Sequence, residues 1–362
     1  MKITIAERLH PFSHKNGTKF LLPQTSFSVQ LFPTRLYFTD LEGDLESFFL
    51  SFDFTGPVSD FTAELDLERG ILRLFGTTRE GYVSYLIFAK KEGICLKMEK
   101  IPREKVTCRR SFSSEPIELS KGESLLIPLP FKAFEQMRME ERLSLGGHKA
   151  QDWEMICRRF DFKEIFPLWL SLSHWIPLRE EEGKGGNYLL LEKCRQRIDQ
   201  REKEKVIESF QNLFLSAFDG VLVPRLDDTE YQGILPASEQ QNLSHPPLPL
   251  LTKGAHLIRS LFFQEKGGKI GILPCLPPAF HCGRMIGVKT SNATIDFEWT
   301  KKKLRRMRIS PFLDGEIDLN LPKGIRSCRV KQRRYGIEKL ASGVLTLPIS
   351  GGKVIELDRF EQ

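Results

Sequence analysis

Apolar and polar residues alternate with period two along the first third of the chain. Phe27, Val29 and Leu31 are separated by Ser28 and Gln30, the pattern of a strand with one buried face. Apolar runs at 36–38, 49–54, 61–67, 71–75, 82–89 and 94–98 follow at short spacing. Glu68-Arg69-Gly70 and Arg79-Glu80-Gly81 supply turns between them, with Gly where a positive φ is needed. Regular short strands with close turns predict an antiparallel β-sandwich over residues 1–130.

The period then changes. Trp153, Ile156 and Phe160, then Ile165, Leu168, Trp169 and Leu172, fall at helical spacing. Residues 183–186 read as a surface loop. Leu191, Cys194, Ile198, Val206, Phe210, Phe214 and Phe218 predict one long helix stopped by Gly220, with the charged stretch 195–205 as its solvated face. After the Pro-rich segment 245–249 a short helix is expected over 255–265, ended by Gly267-Gly268. From there the alternation returns: Ile295, Phe297 and Trp299 point one way, Asp296 and Glu298 the other. Met307 and Ile309 then alternate with Arg306 and Arg308. The expected fold is mixed α and β and multidomain. An N-terminal sandwich (1–130) is followed by a short helical segment (131–266) and a C-terminal β-sandwich (267–362).

Composition adds little beyond an ordinary globular chain of 362 residues, 40% hydrophobic and 28% charged. A length of this order exceeds what one core usually serves. No run of 18 apolar residues occurs, so no membrane span is expected. Residues 1–12 hold no apolar stretch of signal-peptide length. Seven cysteines, an odd number with no CxxC pair, read as small buried hydrophobes in a reducing cytoplasm. The net charge of +7 gathers late: residues 301–334 carry twelve Lys or Arg against three acids. Solvated strand faces explain that excess, and opposed carboxylates on the same hairpin offset part of it. No nucleic-acid motif accompanies it, so nucleic acid is not an expected partner.

Two stretches resemble glycoside hydrolase family 95, the inverting α-L-fucosidases and their α-galactosidase relatives. One is "NLSHPPLPLL" with the later "GGKIGILPCLPPAFHCGRMIGVKTSNATIDFEWTKKKLRRMRI", in which Gln264, Ile272-Leu273-Pro274, Leu276-Pro277, Ala279, Gly283, Gly287, Asp296 and Trp299 fall in step with the family's pattern. The other is the stretch 61–98, where Leu65-Asp66-Leu67 and Phe88-Ala89 match the family's N-terminal sandwich. The resemblance implies a supersandwich, a helical segment and a C-terminal sandwich. It also implies a departure. The family has a full α/α barrel between its β domains, whereas residues 131–265 have room for roughly five or six helices.

Inverting hydrolysis needs a general acid on the leaving oxygen and a general base on water. At the family's water-activating Asp this chain has Leu251, after Pro246-Pro247-Leu248, and a Leu cannot accept a proton. The supporting Asn-x-Asn motif is not recognisable. Against the family's Pro-Glu-Asn acid, "GVLVPRLDDTEY" offers Glu230, one residue out of step. Asp227 and Asp228 beside it are candidate sugar ligands, or else a polar turn. In "GGHKAQDWE", His148 and Asp152 lie four apart, on one face if helical, with Trp153 as a stacking plane; an imidazole held by a carboxylate is a competent base. The alternative is a helix N-terminus with a core Trp. His10 and His14 flank Pro11-Phe12 with no carboxylate at ligand spacing, and no metal or cofactor is expected.

The reading is a glycosidase-like protein with a degenerate active site, acting as a carbohydrate-binding or interaction module. Asp152 and Glu230 are its candidate catalytic residues, and His148, Trp153, Asp227 and Asp228 its candidate sugar contacts. Two alternatives stand beside it: an active hydrolase with its carboxylates among Asp152, Glu154, Asp227, Asp228 and Glu230, or a basic scaffold for protein or polyanion.

Overall fold

The computed structural model describes residues 2–129, 141–147, 149–176, 183–228, 230, 232–236, 245–330, 338–339 and 344–361. Two antiparallel sheets of six strands form the N-terminal part. The first runs, edge to edge, Phe12–Ser13, Ser59–Asp66, Ile71–Thr78, Gly81–Lys90, Gly93–Lys100, Ser124–Pro128. The second runs Ser113–Ser120, Lys105–Arg110, Phe48–Phe52, Arg35–Asp40, Phe27–Phe32, Lys19–Leu21. Alternation decides which side chains meet between the sheets: Phe27, Val29 and Leu31 are fully buried, as are Leu72, Leu74 and Ile87. Phe52 meets Tyr85 across the gap, with ring centroids 5.1 Å apart. Gly70 takes φ 67° at its turn.

Five helices are described between the β regions: α1 (Trp153–Arg159), α2 (Phe162–Ser173), α3 (Asn187–Asp199), α4 (Val206–Ala217) and α5 (Leu248–Phe262). The single helix expected over 191–218 is two, because the chain turns at 200–205. Arg201 takes φ 57° there, its N–H bonds the Ile198 carbonyl at 3.0 Å, and the Glu202 N–H bonds the Arg197 carbonyl at 2.9 Å. That is a Schellman stop with Arg in the place usually held by Gly. The Arg197 and Glu202 side chains pair across it. Phe218 leaves the helix to pair with Pro224 in a two-stranded ribbon. α5 begins seven residues earlier than expected. Pro247 caps it and Pro249 sits in its first turn, where missing N–H groups cost nothing. Gly267-Gly268 do not end this helix. They turn a hairpin between Phe263–Lys266 and Lys269–Ile272 at φ 58° and 75°.

The C-terminal part has a seven-stranded sheet in the order Arg142–Ser144, Cys282–Lys289, Ala293–Thr300, Lys303–Pro311, Ile355–Glu361, Ser327–Val330, Glu338–Lys339. A four-stranded sheet joins Phe263–Lys266, Lys269–Ile272, Gly315–Asn320 and Val344–Ile349. Arg142–Ser144 therefore pairs into the C-terminal sheet before the chain builds its helices. The central hairpin sets Asp296 opposite Arg308 and Glu298 opposite Arg306. Glu298 and Arg306 form a cross-strand ion pair there, which takes up part of the basic excess.

The helices are tied to both sides. Trp175, just past α2, donates its indole N–H to the Leu67 carbonyl at 2.8 Å, and its ring lies where a Cβ on Gly70 would come within 2.8 Å. Arg259 of α5 meets both Glu141 carboxylate oxygens at 2.9 Å and the Lys289 carbonyl at 3.3 Å. Removal from water raises the Glu141 carboxyl above its ordinary range, although Arg259 opposes the shift.

Candidate functional site

The position at which the resemblance puts a water-activating carboxylate lies in the first turn of α5. Leu251 there is fully buried, and its carbonyl accepts the indole N–H of Trp169 at 2.9 Å. A Cβ on Gly254, one turn further, would meet Trp169 at 2.5 Å, so the absence of a side chain is what lets the indole lie on the helix. Trp169 is packed in turn against Phe218 and Phe210, at centroid distances of 4.4 and 6.2 Å. Leu251 is fully buried beside this aromatic cluster, and a carboxylate placed there would lose its water.

The residues singled out from the sequence occupy two separate places. Asp152 caps α1, its carboxylate accepting the Met155 N–H at 3.1 Å, and α1 starts only at Trp153. Residues 149–152 before it are not helical, and His148 lies outside the described residues. Trp153 is buried and packs on Phe214 at 6.2 Å. Asp227, Asp228 and Glu230 lie in the loop after the ribbon. Asp228 is buried and accepts the N–H groups of Gln232 and Ile234 at 3.1 and 3.2 Å, so it ties the loop rather than facing a cleft. Glu230 is exposed and pairs with Arg225 at 3.5 Å. Asp227 is half-buried, and its Oδ1 has no hydrogen-bond partner among the described residues. Among those residues no hydrogen bond or ion pair joins Asp152 to the second group.

A groove of about 730 Å³ opens elsewhere, on the outer face of the first N-terminal sheet. The segment before Phe12 continues alongside the strand Ser59–Asp66: Leu65 and Leu67 donate their N–H groups to the carbonyls of Pro11 and Leu9 at 2.9 and 3.0 Å. This lays His10 across the sheet, with Nδ1 2.8 Å from Glu64 and Nε2 3.5 Å from Asp66. The carboxylates that sequence spacing did not supply to His10 thus come from a strand more than fifty positions away. Arg73 pairs with Glu99 at 3.0 Å, and Glu99 also accepts from Ser84 at 2.9 Å. Arg69 stands at the rim with no ion pair among the described residues, and Ile71 and Leu86 form an apolar floor. The signal available in the sequence was Glu64 and Asp66 alternating with Leu65, which marks an outward face but not what crosses it.

Among the described residues no three His, Cys, Asp or Glu side chains are placed to hold a metal ion. No helix there is long and apolar enough to cross a membrane. Residues 264–356 match the family model described as the glycoside hydrolase family 95, C-terminal domain. No curated protein matches the chain. The C-terminal sheets, with Trp299 at the end of their central hairpin, are what that match covers, and this part of the chain is glycoside hydrolase family 95-like.

Proposed function

We propose that this protein is a non-hydrolytic relative of the inverting glycosidases that binds carbohydrate in the cytoplasm. The observation that carries the reading is Leu251, buried beneath Trp169 where a proton-accepting group would be needed. A positioned acid or base contributes about 10²–10⁴-fold to such a reaction, and its loss also leaves the water unoriented. The replacement candidates are poorly disposed. Asp152 is engaged as a helix cap and Asp228 as a loop tie, while Glu230 faces solvent beside Arg225. Asp227 is half-buried, and its unpartnered Oδ1 is itself shielded from solvent, so it too is poorly placed to meet a sugar hydroxyl. All seven cysteines are free thiols, five of them buried, which supports a reducing compartment.

The test is turnover of aryl α-L-fucosides, aryl α-galactosides and neutral oligosaccharides by wild type, Asp152→Asn and Glu230→Gln. We expect no wild-type rate above the uncatalysed one. A rate that vanishes in either variant would replace this reading with an active hydrolase whose base or acid is that residue.

A further inference from the structure

We infer that the saccharide site is the outer face of the first N-terminal sheet, and that it takes a neutral oligosaccharide. The site runs from the groove at His10, Glu64, Arg73 and Glu99 to the ring pair Phe75–Tyr82. The inference rests on the carbohydrate-binding reading above and gives it a location.

Strand register puts these groups on one surface. Glu64 lies opposite Arg73, Thr62 opposite Phe75, and Phe75 opposite Ser84. Ile71, Arg73 and Phe75 are alternate residues of one strand, so all three point away from the sandwich core. Phe75 and Tyr82 lie 6.4 Å apart and inclined by 35°, with Tyr82 39% exposed. Arg73 sits 5.6 Å from the Phe75 ring and Lys100 5.3 Å from the Tyr82 ring, so a cation steadies each ring.

The chemistry fits a sugar better than a charged or an apolar ligand. A carboxylate accepts two hydrogen bonds in its plane and a guanidinium donates in a matching fork, so a pair of adjacent hydroxyls can bridge Arg73 and Glu99. The groove's cations and anions nearly balance, which leaves a polyanion facing Glu64, Asp66 and Glu99 with like charge. Ile71 and Leu86 give the C–H face of a ring its apolar contact, and the Phe75–Tyr82 pair offers a second ring a plane to lie on. A cavity of about 730 Å³ falls within the roughly 300–1,000 Å³ typical of small-molecule sites.

The experiment is affinity electrophoresis of the full chain through gels containing xyloglucan, galactomannan or, as the anionic control, dextran sulfate. Tyr82→Ala and Arg73→Leu are run beside Asp227→Asn and Glu230→Gln, with thermal melts to verify folding. The expected result is retardation by a neutral polysaccharide that weakens about tenfold in the first two variants and persists in the second two. Unchanged retardation in Tyr82→Ala and Arg73→Leu would overturn the location while leaving the carbohydrate reading in place. Retardation by dextran sulfate alone, or by nothing, would overturn both.

Discussion

Trp169 and Gly254 decide what the space behind α5 can hold. The indole rests on the glycine and bonds the Leu251 carbonyl, so the apolar surroundings of Leu251 are built around a fixed ring. Restoring the family's water-activating carboxylate by Leu251→Asp should therefore not restore hydrolysis. It should destabilise the fold by several kcal/mol, because a buried carboxylate without a partner either stays charged at high cost or takes up a proton. Denaturant titration would register the loss, and a well-folded Leu251→Asp protein with glycosidase activity would show that the space is open after all. Trp299 is a second such anchor. It is 1% exposed, its indole N–H bonds the Phe280 carbonyl at 3.1 Å, and it stacks on Phe262 at 5.3 Å. Gly283 opposite it lacks the Cβ that would come within 2.3 Å of the ring. Trp299→Ala should cost about 3–5 kcal/mol; an unchanged melting temperature would mean that the hairpin does not depend on this ring.

At the scale of elements, the strands were readable because one residue type repeats on one face. Phe27, Val29 and Leu31 alternate in sequence and are all buried, and Glu298 meets Arg306 where the alternation put them. Helix ends were less readable, because backbone conformation there is set by packing and not by the residue that usually signals it. The stop between α3 and α4 has Arg201 where Gly is usual, and the apolar spacing from Ile198 to Val206 continues through the break as if nothing intervened. Gly267-Gly268 signalled a stop but turn a hairpin. The groove was not readable at all, since His10 and Glu64 meet only through strand pairing. A left-handed conformation costs a residue with a Cβ roughly 1–2 kcal/mol, and glycine gives up about 0.5–1 kcal/mol in unfolded-chain entropy. Arg201→Gly should then be neutral to stabilising, by up to about 1 kcal/mol. Calorimetry showing a clear loss would place the Arg201 side chain in a contact that holds α3 and α4 together.

Across the whole molecule, the junction of helices and C-terminal sheet carries a pH dependence of its own. His174 ends α2, and its Nδ1 is buried with no hydrogen-bond partner among the described residues. Burial first, and the nearby Arg259 second, lower its pKa from 6.5 to about 4. Below pH 6.5 the unfolded chain binds a proton that the folded one refuses. Stability is therefore complete above that pH and falls as the pH drops towards 4. At 1.36 kcal/mol per pKa unit the loss amounts to about 3 kcal/mol. Glu141 acts in the opposite sense. Its raised carboxyl keeps a proton in the folded state that the unfolded chain has already released, so acidification through the carboxylate range returns part of the loss. The two contributions separate by mutation. Denaturant midpoints measured at intervals from pH 7.5 to 4.5 should decline for wild type, beginning near 6.5, and decline less steeply for His174→Gln, which cannot titrate. Equal slopes for the two proteins would mean that the imidazole at the end of α2 reaches water and titrates as an ordinary histidine.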